Sequence, residues 1–237
     1  MPITFVGNSG AVLIGTAAGT LTPVLPAHQT GDLLVAIAGV DFSAGTQPVP
    51  GIADPSNWTF GAGKVSGAAP TDVQMGLWYR IAPSAGTTNP GFAIGGSTPV
   101  CMAAAAVFRG VDTASPVDVA NNGSGTAGVG SPGPVTGFSP LTNDCLIIKG
   151  VYRCENWFSL NSVTPDNGLS WNQISTGNTT TSHDSALEWR YAIASGAPPA
   201  IGATTWNITD SLASFWGAMI SFKPFVESFV PPANLIL

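Results

Sequence analysis

Three patterns in this chain carry residue types that chemistry could use. His183-Asp184-Ser185 places the three side chains of an acyl-transfer triad in consecutive positions. A triad must converge in space, whereas neighbours along a strand point to opposite faces. The surrounding residues are rich in Thr and Ser, so His183 is expected to be a solvated loop residue. Gly123-Ser124-Gly125-Thr126-Ala127-Gly128 fits the glycine fingerprint of a dinucleotide site. That site needs a helix opening at the glycines. Ser131-Pro132-Gly133-Pro134 follows and forbids it. The third pattern is a set of thirteen acids. A glycosidase needs two of them as a facing pair, and calcium needs an oxygen cluster. Here they are dispersed, with no EF-hand spacing. Asp32 and Asp144 each open an apolar run and read as turn residues, as do Asp112 and Asp118 around Thr113-Ala114-Ser115-Pro116.

The remaining reactive types are few. Two histidines, His28 and His183, make no zinc pattern. No nucleophile elbow or phosphate loop occurs. Cys101, Cys145 and Cys154 give an odd count without a CxxC, which argues against a disulfide framework. Cys101 and Cys145 lie in apolar runs and are expected as small core residues. No catalytic residue, cofactor site or metal site is assigned, and a non-enzymatic protein is expected.

Composition narrows the partners. Charged residues make up 8% of 237 positions, with a net charge of −6, against about 25% charged in an ordinary domain. Binding a nucleic-acid duplex requires clustered Lys and Arg, and the seven basic residues form no cluster. Apolar runs such as Leu33–Val40 and Val100–Phe108 fall short of the roughly 20 residues that span a bilayer. The start, Met1-Pro2-Ile3-Thr4-Phe5, has neither the basic nor the long apolar part of a signal peptide. The expectation is a protein made in a cytoplasm, without nucleic-acid or membrane partners. A surface this poor in charge suits close packing against neighbouring molecules.

The elements that must carry these residues read as strands. Leu33–Val40 and Cys145–Tyr152 are apolar runs between turn residues, as expected of central strands. Leu77–Ala82 and Leu187–Ile193 alternate. Glu188 and Arg190 lie two apart on the polar face, where a surface pair is worth under about 1 kcal/mol. Cys101–Val107 is helical by alanine propensity. It is short and bounded by Pro99 and Gly110, so a strand is expected, with small side chains that admit another layer or subunit. Asp54-Pro55-Ser56-Asn57 and Pro165-Asp166-Asn167-Gly168 each turn toward a tryptophan, Trp58 and Trp171.

These strands occur twice. Gly31-Asp32-Leu33-Leu34-Val35 is echoed by Asn143-Asp144-Cys145-Leu146-Ile147, at a spacing of about 112 residues. Leu77–Ala82 is echoed by Leu187–Ala192, and Ala104–Arg109 by Ala218–Lys223. Arg80 and Arg190, and Arg109 and Lys223, fall at matched positions. Four strands per half leave a sheet face that must be covered. The expected fold is all-β: one β-sandwich, jelly-roll-like, with an internal pseudo-two-fold repeat of two halves facing each other. The domain spans residues 1–223, with half-repeats over about 1–120 and 138–223. A Gly/Pro-rich link at 121–140 joins them, and an extended C-terminal arm follows at 224–237.

That arm holds Phe225, Val226, Phe229, Val230, Leu235, Ile236 and Leu237, with Glu227 as its one charge. Apolar surface left in water costs about 25 cal/mol per Å². The arm therefore folds back on its own domain or docks on a partner subunit. Of the seven tryptophans, Trp157 in Glu155-Asn156-Trp157-Phe158 is expected to be exposed. The others read as core or interface, with a sugar-stacking platform as the competing use.

Gly31-Asp32-Leu33-Leu34, Trp58, Trp78-Tyr79-Arg80, Phe108-Arg109-Gly110-Val111-Asp112 and Pro116-Val117-Asp118 follow in that order. In this the chain resembles a family of tailed-phage virion proteins, over roughly Phe5–Lys223. The resemblance implies a β-sandwich displayed on a virion, often as a head decoration or cement protein and sometimes in a tail fibre. It brings no catalytic residues. The expected function is a capsid decoration protein on the outer head surface. Its partners would be the major capsid protein and copies of itself, with a homotrimer as one arrangement. The alternative is a tail or fibre module that binds a cell-surface glycan through Trp157.

Overall fold

The structure is a computed structural model. It describes residues 1–15, 19–40, 51–52, 54, 56–64, 73–94, 100–126, 137, 139–154, 169–179, 185–198, 200 and 214–226. Among them no helix occurs, and fourteen strands do. They are β1 (Thr4–Asn8), β2 (Leu13–Gly15), β3 (Gly19–Leu21), β4 (Leu33–Val40), β5 (Gly51–Ile52), β6 (Thr59–Lys64) and β7 (Gln74–Ile81). Then come β8 (Phe92–Ile94), β9 (Cys101–Arg109), β10 (Val117–Thr126), β11 (Leu146–Cys154), β12 (Asn172–Thr179), β13 (Ser185–Ile193) and β14 (Ser214–Phe222). All pairings are antiparallel.

The first large sheet runs β1-β9-β4-β7-β6, with β2 continuing the edge along β9, and the second runs β10-β14-β11-β13-β12. β3-β8-β5 forms a small third sheet. Each large sheet is built from one half of the chain. Among the described strands the chain passes between the two large sheets once, from β9 to β10, while β3, β5 and β8 leave the first sheet for the third, so a jelly-roll winding between the large sheets is not seen.

Burial explains the residue patterns. One face of β4, carrying Leu33, Val35 and Ile37, packs with Leu77 and Phe108 against Leu146, Ile148, Trp189, Ile220 and Phe222 of the second sheet. The opposite face, with Leu34, Ala36 and Ala38, lies beneath Leu25, Ile52 and Phe92. β4 is covered on both sides, which is why its run has no polar alternation. Each large apolar side chain so buried contributes about 1.5–3 kcal/mol. Cys101 through Phe108 of β9 are likewise buried. Ala103 and Ala105 pack in the cluster with Phe92. The small side chains admit another layer, and that layer comes from the same chain.

The ladders let positions in the two large sheets be compared. Leu33 lies between Ile81 and Phe108, and Leu146 between Ile193 and Phe222. Leu146, not Cys145, therefore holds the place of Leu33. The left-handed residue that opens each strand agrees: Gly31 at φ 85° and Asp144 at φ 56°. The place of Asp32 falls to Cys145, so Asp32 and Asp144 are not counterparts. Tyr79 faces Val35 and Tyr191 faces Ile148, so Arg80 matches Ala192 and Arg190 matches Trp78. A correction concerns the link. β10 continues through Gly123 and Gly125 to Thr126, pairing with β14 across a register shift. Ladder hydrogen bonds join backbone to backbone, so glycines there still hold an edge strand.

Candidate functional site

The well-framed end of the sandwich is where β4 and β11 begin and β9, β13 and β14 finish. Asp32, just before β4, is 1% exposed, and it takes a forked pair of bonds from Arg109 at the end of β9. Arg109 Nε donates to Oδ1 at 2.8 Å and Nη2 to Oδ2 at 2.9 Å, while the Gln29 amide donates to Oδ2 at 2.9 Å. Burial pulls the Asp32 carboxyl up. The Arg109 bond, the Gln29 amide and the charges of Arg109 and His28 outweigh it and hold the group below the ordinary carboxylate range. Asp118 binds the end of the link in the same manner. It accepts the Leu141 amide at 2.7 Å, the Thr142 amide at 3.2 Å and the Thr142 hydroxyl at 2.7 Å. Burial opposes ionisation here too, and these donors with Ser221 outweigh it. Asp144 accepts the Gly196 amide at 2.7 Å. These carboxylates frame turns, as the sequence suggested for Asp144 and Asp118. Asp32 does more, since it is ion-paired to another strand.

The same end holds an apolar groove of about 590 Å³. Met1, Ile3, Ile193, Pro224, Phe225 and Val226 line it, and Asp144 lies at its wall. Val226 is 71% exposed and Met1 64%, while Phe225 and Ile193 are partly open. The segment that forms one wall is fixed to its own domain. The Asp112 amide donates to the Lys223 carbonyl at 3.0 Å, the Phe225 amide to Gly110 at 2.7 Å, and the Met1 ammonium to the Phe225 carbonyl at 3.1 Å. Of the arm residues singled out in the sequence, Phe225 and Val226 thus meet at this groove. Phe229, Val230, Leu235, Ile236 and Leu237 lie outside the described residues, as do Trp157 and His183.

A second cluster went unread in the sequence. The outer face of the second sheet carries Lys149 and Arg153 of β11 and Glu188 of β13, exposed by 1%, 2% and 2%. Lys149 Nζ stands 3.8 Å over the Trp171 ring, a cation–π contact. Arg190 Nε donates to Glu188. Burial pushes the Glu188 carboxyl up, against the Arg190 bond and the charges of Arg190 and Lys149. The pair was expected at the surface; it forms, but in a buried setting where its electrostatics are far less screened. The matching places on the first sheet are Ala36, Val40, Gly76 and Trp78.

Other reactive types are spent on packing. Cys101 and Cys145 are buried, and burial pushes each thiol up to about 12, so both stay protonated at neutral pH, as befits core residues. Trp58, Trp78 and Trp189 are buried, and Trp189 Nε1 donates to Ser175 Oγ at 2.6 Å. None of these three offers a ring face to a sugar. His28 Nδ1 lies 2.8 Å from the Pro26 carbonyl oxygen. Among the described residues no group of three His, Cys, Asp or Glu is placed to hold a metal ion. No protein-family model matches this chain, and neither does any curated protein or solved structure.

Proposed function

We propose that this chain is a non-enzymatic structural protein of a tailed-phage virion, which decorates the outer capsid surface and stabilises it. The observation that carries this reading is the apolar groove at one end of the sandwich. There Phe225 and Val226 stand open to solvent where the described chain stops. Exposed apolar surface gathered at one place marks an interaction site. The low charge of the rest suits close packing with the major capsid protein and with neighbouring copies. Many rigid sandwiches, each bridging capsid subunits through this end, would together resist outward pressure.

The motifs that resemble the virion family support the reading through their positions. Asp32 and Arg109, from the first and fourth of them, form the ion pair that closes β4 on β9. They are signatures of a frame rather than of a reaction. We also propose that the two halves are copies of one unit related by a pseudo-two-fold axis. Taken in chain order, the five main strands of each large sheet are arranged identically. Across the sandwich β4 lies on β11, β7 on β14, β9 on β13, β6 on β10 and β2 on β12. A two-fold axis between β4 and β11 exchanges these pairs, with β2 counted with β1 as one edge.

The test uses purified heads. A chain truncated after Pro224, and the full-length Val226→Asp variant, are expected to fold and to lose occupancy on the capsid. The truncation also lowers the unfolding midpoint slightly, because it removes the two backbone bonds of Phe225, while Val226→Asp leaves it unchanged. Undiminished occupancy of both variants overturns the proposal.

A further inference from the structure

Where β4 meets β11, each sheet carries a large residue opposite a glycine of the other. A Cβ placed on Gly150 would sit 2.4 Å from Ile37 Cδ1, and one on Gly39 would sit 2.2 Å from Tyr152 Cγ. Neither neighbour has room to give. Ile37 and Tyr152 are fully buried, and the Tyr152 hydroxyl is tied to the Val100 carbonyl at 2.9 Å.

The ladders show which places these are. Ile37 lies between Leu77 and Ala104, and Gly150 between Trp189 and Ala218. Gly39 lies between Met75 and Met102, and Tyr152 between Leu187 and Trp216. Ile37 and Gly150 therefore hold the same place in their sheets, and so do Gly39 and Tyr152. Each residue faces its own counterpart. Two identical faces meeting here would set isoleucine against isoleucine and leave glycine against glycine. The chain avoids both, and it alternates which sheet supplies the bulk: the first at Ile37, the second at Tyr152. A third contact also sets bulk on a glycine, though between places that are not counterparts: a Cβ on Gly61 of β6 would sit 2.7 Å from Ile220 Cδ1 of β14.

We propose that the inner face of each half is a selective interaction surface that accepts the other half and rejects a copy of itself. Attraction comes from the shared apolar core, and selection comes from the clash and the void that like pairing would create. A second copy of this chain could then exchange halves only crosswise, first half with second. The inference needs only the packing of described residues and stands apart from the virion reading.

A double-mutant cycle in the full chain tests it. Gly150→Ile sets like against like as a clash, and Ile37→Gly does so as a void; each is expected to lower the midpoint of chemical unfolding. The transposed double, Ile37→Gly with Gly150→Ile, is expected to recover most of the loss. A milder cycle covers variants that do not fold. Gly150→Ala introduces the Cβ, and Ile37→Val removes the one atom it would strike, since the next carbon of Ile37 lies 3.7 Å away. The Ile37→Val, Gly150→Ala double is expected to unfold at a higher midpoint than Gly150→Ala alone. Losses that simply add in both cycles overturn the proposal.

Discussion

Asp144 shows how much one backbone angle can ask of a side chain. Its φ of 56° lies in the left-handed region, where only short polar residues and glycine rest with little strain. Its carboxylate also holds the Gly196 amide. Asp144→Val would remove that bond and force a β-branched residue into the same conformation. We expect a loss of about 2–3 kcal/mol in chemical unfolding. Asp144→Gly loses the bond but relieves the strain, and so should cost less than half as much. The turn itself was legible in Asn143-Asp144. The one-residue offset was not, because an Asp stands near both strand starts and only the ladder tells which one carries the positive φ.

Among the strands, end clasps do the joining. Asp32 ties the start of β4 to the end of β9, and Asp118 ties β10 to the residues ahead of β11. Both carboxyls are held below their ordinary range in the fold. Unfolded, they titrate near pH 4. The stability they supply is therefore present above that pH and is lost as pH falls through their lower folded values. Glu188 works in the opposite sense. Its raised folded value means its ionisation opposes the fold as pH rises. We expect the unfolding midpoint to decline as pH drops below about 4. Asp32→Asn should lower the midpoint at pH 7 and make that decline shallower, and a decline of unchanged steepness would count against the clasp. Strand identity was readable from alternation and punctuation, including the alanine strand β9 between Pro99 and Gly110. The glycines of β10 were not readable as strand, since they have no side chain to show a period.

For the whole molecule, the two large sheets differ most in what lies outside them. The first sheet is apolar on both faces because the small third sheet covers it. The second turns Leu146 and Ile148 inward, and on its outer face it sets Lys149 and Arg153 among the buried Ile147, Val151 and Met219. Glu188 and Arg190 share the polar face of β13, which alternates as a half-solvated strand does, and that is why they read as a surface pair. A strand's own sequence records that a face is polar; it does not record whether water or protein meets it. The packing of the two halves face to face was foreseeable, because a single sheet must cover its apolar side. The buried charge was not. Once charges are buried, removing one member leaves the others without compensation, and the cost is about 3–5 kcal/mol. Glu188→Ala is expected to fall in that range, measured by chemical unfolding at neutral pH. The matching Gly76 on the first sheet has no charge to lose, so the two halves, alike in strand order, differ in how strongly electrostatics holds them. A loss under about 1 kcal/mol, typical of exposed pairs, would mean that the outer face of the second sheet is wet after all.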